Sequence, residues 1–232
     1  MKQLSEQNIE YLVSLINTIN PARFTSVIID ELGARAMDET GTVAMMGTNV
    51  PEFPGAMGLT RVPQLKARMD LVLSRPNFTV EAFTNEERGF VERLTFKANG
   101  VKANYRAGNP ESIRAPKKLM DKMVVDFELD ASIASELQSA VGAYTATELR
   151  FKVSDTLVAA EVDDGNGDIF STHVAKTEYG ETLTHVYDAT NVSQLLKLSL
   201  NNGKVKVQIG ERGILSIHKD PFTFYVMPSK RG

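Results

Sequence analysis

The sequence predicts an α+β protein of two similar domains. Each domain carries two repeats of an amphipathic helix followed by antiparallel strands, with the helices gathered on one face of the sheets. Three observations predict it. Along the 232 residues, apolar spacing switches repeatedly between the helical period and the strand period. The second and fourth repeats share residues: Arg61-Val62-Pro63-Gln64-Leu65 through Glu87-Arg88-Gly89-Phe90 returns as Asn191-Val192-Ser193-Gln194-Leu195 through Glu211-Arg212-Gly213-Ile214. Between the halves lies an aperiodic stretch with Gly108, Pro110, Pro116, Lys117, Lys118 and Lys122, which reads as an exposed linker. The expected division is a first domain over 1–107, a connector over 108–122 and a second domain over 123–232.

The elements follow in order. Ile9, Leu12, Val13, Ile16 and Ile19 form an apolar stripe over 5–19, with Ser5 as N-cap and Pro21 ending the helix. Strands are expected at 26–30, 34–37 and 42–47, and 49–58, with two prolines and two glycines, reads as a loop. The second helix runs from about 61 to 74 and buries Val62, Leu65, Met69, Val72 and Leu73, with Pro63 in its first turn. Strands over 78–83, 91–97 and 101–106 follow, the last two joined by Ala98-Asn99-Gly100. The second half repeats the plan. A strand over 124–129 leads to a helix over 131–143 that buries Ile133, Leu137 and Val141. Strands come next at 149–153, 157–162, 168–175 and 182–187. A helix near 191–200 buries Val192, Leu195, Leu196 and Leu200, before final strands at 205–209, 214–218 and 222–227.

Composition excludes several function classes. The chain has no cysteine, which removes disulfides and thiolate chemistry, and a net charge of -3, so nucleic-acid contact requires local basic patches. No apolar run is long enough to cross a membrane, and the N-terminus lacks a signal pattern, so an intracellular protein is expected. With 7% aromatic residues and no Trp, a platform for stacking single-stranded bases is poorly supplied.

Several stretches together carry a family resemblance. They are Met1-Lys2-Gln3-Leu4-Ser5 running into the first helix, Ala36-Met37-Asp38, Gly58-Leu59-Thr60 opening the second helix, Gly165-Asn166-Gly167-Asp168-Ile169, and Phe224-Tyr225-Val226-Met227-Pro228. In order, spacing and length the whole chain resembles the two-domain DNA sliding clamps, above all those of large tailed bacteriophages and more distantly proliferating cell nuclear antigen. The resemblance implies a DNA clamp fold with helices on the inner face of the sheets. It implies a homotrimeric ring that encircles duplex DNA without reading sequence and tethers the replicative DNA polymerase. The implied partners are that polymerase, an ATP-dependent clamp loader and, as a further candidate, transcription proteins. It implies no enzyme activity, no cofactor, no membrane, and work in the cytoplasm of a host cell.

Within that resemblance, Arg61, Lys66, Arg68, Arg75 and Lys197 become candidate phosphate contacts in the hole. Outside it, they would be an ordinary solvated helix face. Arg61, Arg68 and Arg75 recur every seven residues and so are expected along one side. The first helix exposes Gln7, Glu10 and Ser14 and the third Ser132, Ser135, Glu136 and Gln138, none of them basic. Either the DNA track is confined to the second and fourth helices, or Lys2, Arg23 and Arg150 add to it. Met37, Leu119, Met120, Tyr225, Val226, Met227 and Pro228 correspond to the family's pocket for a short apolar partner peptide, where methionines suit several ligands. The strand bearing Val101, Ala103 and Tyr105 is expected to pair with the strand bearing Ile169, Ser171 and His173 of a neighbouring chain.

Catalytic and metal readings find little. His173, His185 and His218 sit in separate expected strands without metal-ligand spacing. Ser216 and Lys219 match an S-x-x-K pattern, but that spacing sends two strand side chains to opposite faces. The acidic run 163–168 fails as a calcium loop, with Ile169 and Ala175 where Gly and Glu are needed, and reads as a hairpin turn. Two alternatives remain at this point: a monomeric or open-dimer factor of the same fold that holds DNA by charge, and a β-rich structural assembly protein.

Overall fold

The computed structural model describes residues 1–117 and 121–229. The chain parts into two compact units, Met1–Lys117 and Lys118–Gly232. The first unit runs β1 (Lys2–Gln3), α1 (Glu6–Ile19), β2 (Ser26–Asp30), β3 (Gly33–Met37), β4 (Val43–Gly47), β5 (Met57–Thr60), α2 (Val62–Leu73), β6 (Thr79–Asn85), β7 (Phe90–Ala98) and β8 (Val101–Arg106). The second runs β9 (Met123–Asp130), α3 (Ala131–Ala143), β10 (Glu148–Ser154), β11 (Leu157–Asp163), β12 (Ile169–Lys176), β13 (Leu183–Asp188), α4 (Ala189–Leu198), β14 (Lys204–Gly210), β15 (Leu215–Lys219) and β16 (Phe222–Val226).

The duplication predicted from the repeats is complete at the level of topology. In the first unit the strands follow the orders β5-β2-β3-β4 and β1-β6-β7-β8. In the second they follow β13-β10-β11-β12 and β9-β14-β15-β16, so each strand of one unit has a counterpart in the other. The neighbouring pairs within each unit that have a resolved register are antiparallel, as β6 with β7 and β14 with β15. The shared Glu-Arg-Gly residues occupy the same turn in both units, between β6 and β7 and between β14 and β15. Gly89 and Gly213 take φ values of +69 and +89 there, a conformation that costs a side-chain-bearing residue free energy.

Local chemistry explains the helices. Ser5 and Asn8 form a reciprocal capping box at the start of α1: the Ser5 hydroxyl accepts from the Asn8 amide, and the Asn8 carboxamide accepts from the Ser5 amide. The buried face of α1 is Asn8, Tyr11, Leu12, Leu15, Ile16, Thr18 and Ile19, rotated from the expected stripe because Tyr11 and Leu15 turn inward while Ile9 and Val13 are half-buried. The buried residues of α3 are Ala134, Leu137 and Ala140, with Ile133 and Val141 only half-buried. α3 packs on α4 and on β9 and β11, and alanines let helix backbones approach closely. The Lys219 ammonium donates to the Leu198 carbonyl at the end of α4, 2.7 Å away, where the helix dipole favours a cation.

Three expectations need correction. The stretch Gly58-Leu59-Thr60 belongs to strand β5, which pairs with β2 through Leu59 opposite Val27. Four residues between a proline-rich loop and a helix show too short a period to register as a strand. Lys2 and Gln3 form a short strand on β6. The stretch 108–117 is not an open linker: Pro110 and Pro116 are buried, the Gly108 amide donates to Gly58, and the Pro116 carbonyl accepts from buried Arg35. Arg35 is also ion-paired with Asp30. The tie to Arg35 could not be read from composition, because Arg35 lies far away in sequence.

The acidic run is a hairpin turn, with Asp163 opposite Ile169 at its base. Its unit-one counterpart is held by Asp38, whose carboxylate accepts from the Val43 amide and the Thr40 and Thr42 hydroxyls. Burial raises the pKa of Asp38, but these hydrogen bonds outweigh it and keep the carboxyl below its ordinary value.

Two histidines make stability depend on pH. Burial lowers the pKa of His185 against an opposing pull from Asp121. Burial and then Lys206 lower that of His218, opposed by Asp126. The unfolded chain therefore binds more protons than the folded one as pH falls, and the stabilisation present above the ordinary imidazole value is lost through the lower folded values. Thermal melting should drop between about pH 7 and about pH 5, and replacing both histidines with glutamine should flatten that dependence. A melting temperature that rises over this interval would contradict the assignment.

Candidate functional site

The basic candidates do not lie along one helix side. Arg61 precedes α2 as its cap in the left-handed conformation, φ 52, with Pro63 in the first turn of the helix. Its guanidinium donates to the Arg106 carbonyl at 3.1 Å and lies 5.9 Å from the centre of the Tyr105 ring. Arg75 lies past the Ser74 cap, before Pro76, which cannot extend the helix. Of the three arginines spaced by seven, only Arg68 is within α2, and it is half-buried.

Lys66 pairs with Asp70 at 2.7 Å along the exposed side of α2, a contact worth about 0.3–0.5 kcal/mol in this class. Lys197 is exposed in the last turn of α4. α1 exposes Glu6, Gln7 and Glu10, and α3 exposes Ser132, Ser135 and Glu136. Positive charge on the helices is thus concentrated at α2 and α4.

The two strands expected to meet a neighbour each end a sheet. β8 lies outside β7 and β12 lies outside β11, so each leaves one row of backbone groups without a partner strand among the described residues. Val101 and Ala103 are half-buried. Tyr105 is not available to a neighbour: its side chain is fully buried, and its hydroxyl donates to the Thr60 carbonyl and accepts from the Thr60 amide, both at 2.6 Å. Alternation along the strand turns it inward with Val101 and Ala103, and the space beneath it is deep enough to enclose the ring. Burial raises its phenol pKa, against the opposing Thr60 bonds and the charges of Arg61 and Arg68. On β12, Ile169, Ser171 and His173 are exposed, with Ile169 at 52%.

The peptide-pocket candidates are placed unevenly. Leu119 and Met120 lie outside the described residues. Met37 is half-buried at the end of β3, opposite Ala44. In the second unit Tyr225, Met227 and Pro228 are half-buried, whereas Val226 is fully buried in the core and offers no surface. Strand alternation decides this, since Val226 and Tyr225 point to opposite faces of β16.

The histidines occupy three strands. His173 is exposed on β12, His185 on β13 packs its ring where a Gly213 side chain would stand, and His218 on β15 lies 2.9 Å from both Ser216 and Gln208. Ser216 bonds to His218, while Lys219 reaches Leu198, so the S-x-x-K pair is not assembled. Among the described residues no group of three or more His, Asp or Glu is arranged to hold a metal ion, and no helix is long and apolar enough to cross a membrane.

No protein-family model matches the sequence, and no curated protein matches it. Solved structures do match. The chain superposes on the PCNA of A. fulgidus, solved with the C-terminal region of FEN-1 bound, with TM-score 0.68, 14% identity and 97% of each chain covered. It superposes on proliferating cellular nuclear antigen of Entamoeba histolytica with TM-score 0.66 and 12% identity, covering 99% of this chain and 98% of that one. The chain has the sliding-clamp fold. A third match is the DNA polymerase III subunit beta of Borrelia burgdorferi, with TM-score 0.69 and 12% identity, where 97% of this chain spans 62% of that one.

Tyr105 fastens the end of β5, just before α2, to the outer strand β8. Replacing it with phenylalanine leaves the Thr60 amide and carbonyl without their buried partner, at a cost of about 1–3 kcal/mol. Urea unfolding should show a lowered midpoint with an unchanged slope. An unchanged midpoint would mean that the hydroxyl contributes nothing.

Proposed function

We propose that this chain is a sliding clamp of the tailed-phage type. Three copies close into a ring around duplex DNA and tether the replicative polymerase for processive synthesis. The observation that carries the reading is the duplicated fold, matched along nearly its full length by two PCNA structures, with β8 at a sheet edge in the first unit and β12 at a sheet edge in the second. A neighbouring strand satisfies such an edge, and β8 of one copy receives β12 of the next. The phage-type assignment rests on the sequence stretches that resemble those clamps.

The modest positive charge fits a protein held on DNA by topology. A closed ring needs only weak, sequence-blind phosphate contacts, and tight ones would oppose sliding. Arg61, Lys66, Arg68 and Lys197, with Arg75 beside the end of α2, supply them, while acidic Glu6, Glu10 and Glu136 keep α1 and α3 from adding to the grip. A factor held by charge alone would require far more cationic surface. Loading requires a separate ATP-driven partner. The partner peptide docks at the connector, where Leu119 and Met120 stand, and along Tyr225, Met227 and Pro228. A FEN-1 tail bound to the A. fulgidus protein is a precedent for such a ligand.

Protein loaded on nicked circular duplex should survive salt that strips charge-held binders, and should leave when the circle is cut. Equal loss from circular and linear DNA would contradict encirclement. Changing Lys66 and Lys197 to glutamate should weaken the initial, salt-sensitive contact by about tenfold or more. Placing aspartate at Leu119 and Met120 should abolish polymerase stimulation and leave the oligomer intact. Undiminished stimulation would remove the connector from the docking site.

A further inference from the structure

On the sheet β1-β6-β7-β8 of the first unit, strand alternation sorts the side chains onto two faces. Ala82, Leu94 and Tyr105 are buried, and α2 packs on β7 and β8. Phe83, Arg93 and Arg106 each adjoin one of these in sequence and so stand on the opposite, outward face. They form a row across the sheet, because Phe83 pairs with Arg93 on β7 and Arg93 pairs with Arg106 on β8. All three are exposed, Phe83 at 39%. The next rows are Glu81–Thr95–Asn104 and Thr79–Lys97–Lys102.

Facing arginines weaken the strand pairing, because side chains directly opposite have Cβ atoms only about 4.5–5.5 Å apart. Neither arginine is neutralised. Among the described residues the ion pairs of this sheet are Lys97–Glu81 and Arg88–Glu92. Arg93 lies 5.1 Å from the centre of the Phe83 ring, which orients the guanidinium but brings no net negative charge. The matching sheet of the second unit, β9-β14-β15-β16, is built differently. There Lys204 meets Glu128 at 2.9 Å and Lys206 meets Asp126 at 3.1 Å. Those lysines are balanced within the chain, whereas the Arg93–Arg106 row keeps uncompensated cations beside an exposed aromatic ring.

We infer that this row is a docking site for a short acidic segment of a partner protein. Two neighbouring carboxylates lie across Arg93 and Arg106, each guanidinium taking one through paired hydrogen bonds, and an adjoining apolar side chain covers Phe83. Charge complementarity sets the sign of the ligand, and the surroundings set its length. Glu81 lies in the next row, and exposed Glu86 and Glu87 stand in the turn beyond Phe83. A nucleic-acid strand, with a phosphate at every step, would run into these carboxylates. A segment with two acids and one apolar residue would not. The row faces away from α2, which carries the phosphate candidates Lys66 and Arg68, so it adds a second surface to the proposed function and does not depend on it.

Fluorescence anisotropy of a labelled peptide tests this with the full chain in about 0.1 M salt. The peptide carries two adjacent aspartates followed by phenylalanine, flanked by glycine and serine. It should bind, and its counterpart with asparagine for both aspartates should bind about tenfold or more weakly. Arg93→Glu and Arg106→Glu should each weaken the acidic peptide by about tenfold or more, and Phe83→Ala by about threefold or more. Lys102→Glu is the control for overall charge. Lys102 lies at the other end of β8 from Arg106, about 13 Å along the strand, beyond the screening length of about 10 Å, and its reversal should change binding by less than about threefold. Arg106→Glu should also raise the urea midpoint, since an opposite-charge pair replaces a like-charge one, and circular dichroism confirms that each variant is folded. Equal binding of the two peptides, or normal binding by the folded arginine variants, would overturn the site. A loss with Lys102→Glu as large as with the arginines would also overturn it, as binding by overall charge. An oligothymidylate that binds more tightly than the peptide, and is lost with the same arginine variants, would overturn the peptide assignment in favour of nucleic acid.

Discussion

A strand at the end of a sheet presents backbone amides and carbonyls that need partners, and β8 in the first unit and β12 in the second are such strands. Much of the remaining structure holds these two edges in place. Tyr105 ties β8 to the start of α2 through Thr60, and Arg61 ties the end of β8 to the same point. On the other side, Tyr144 at the end of α3 packs against Phe170 near the start of β12. In both units the open strand is thus braced against a helix. A rigid edge loses little conformational freedom on pairing, which favours association.

On the proposed function, the same economy governs the contact with DNA. A protein held by charge alone needs enough cations to supply its whole affinity, whereas a closed ring needs only enough to centre the duplex. The helices suit the second case. α2 carries Lys66 and Arg68 but also Asp70, which pairs with Lys66, and α1 and α3 expose carboxylates. A net charge of -3 is then compatible with a DNA-binding role.

The duplication was legible because it rests on local chemistry. Ser5 and Asn8 build a capping box within four residues, Pro63 marks a helix start, and Glu-Arg-Gly needs a glycine with positive φ in both units. What escaped the sequence depends on contacts distant along the chain. β1 and β5 are too short to show a period, and they exist because β6 and β2 lie beside them. The face of α3 was only partly legible: Leu137 is buried as expected, but Ala134 and Ala140, not Ile133 and Val141, complete the inward face. Arg61 looked helical by spacing but stands before the helix as its left-handed cap. Among site residues, an alternating pattern showed that Val101, Ala103 and Tyr105 share a face, yet only the Thr60 contacts reveal that Tyr105 is committed to the core.

The most direct test of the ring is the native mass in solution, measured by light scattering across a dilution series. One chain is 25.5 kDa, so a closed ring of three must appear at about 77 kDa. The account predicts that species at micromolar concentration, dissociating to monomer on dilution without a persistent dimer. A monomer or dimer at every concentration would contradict it, because both open edges would then remain unpaired.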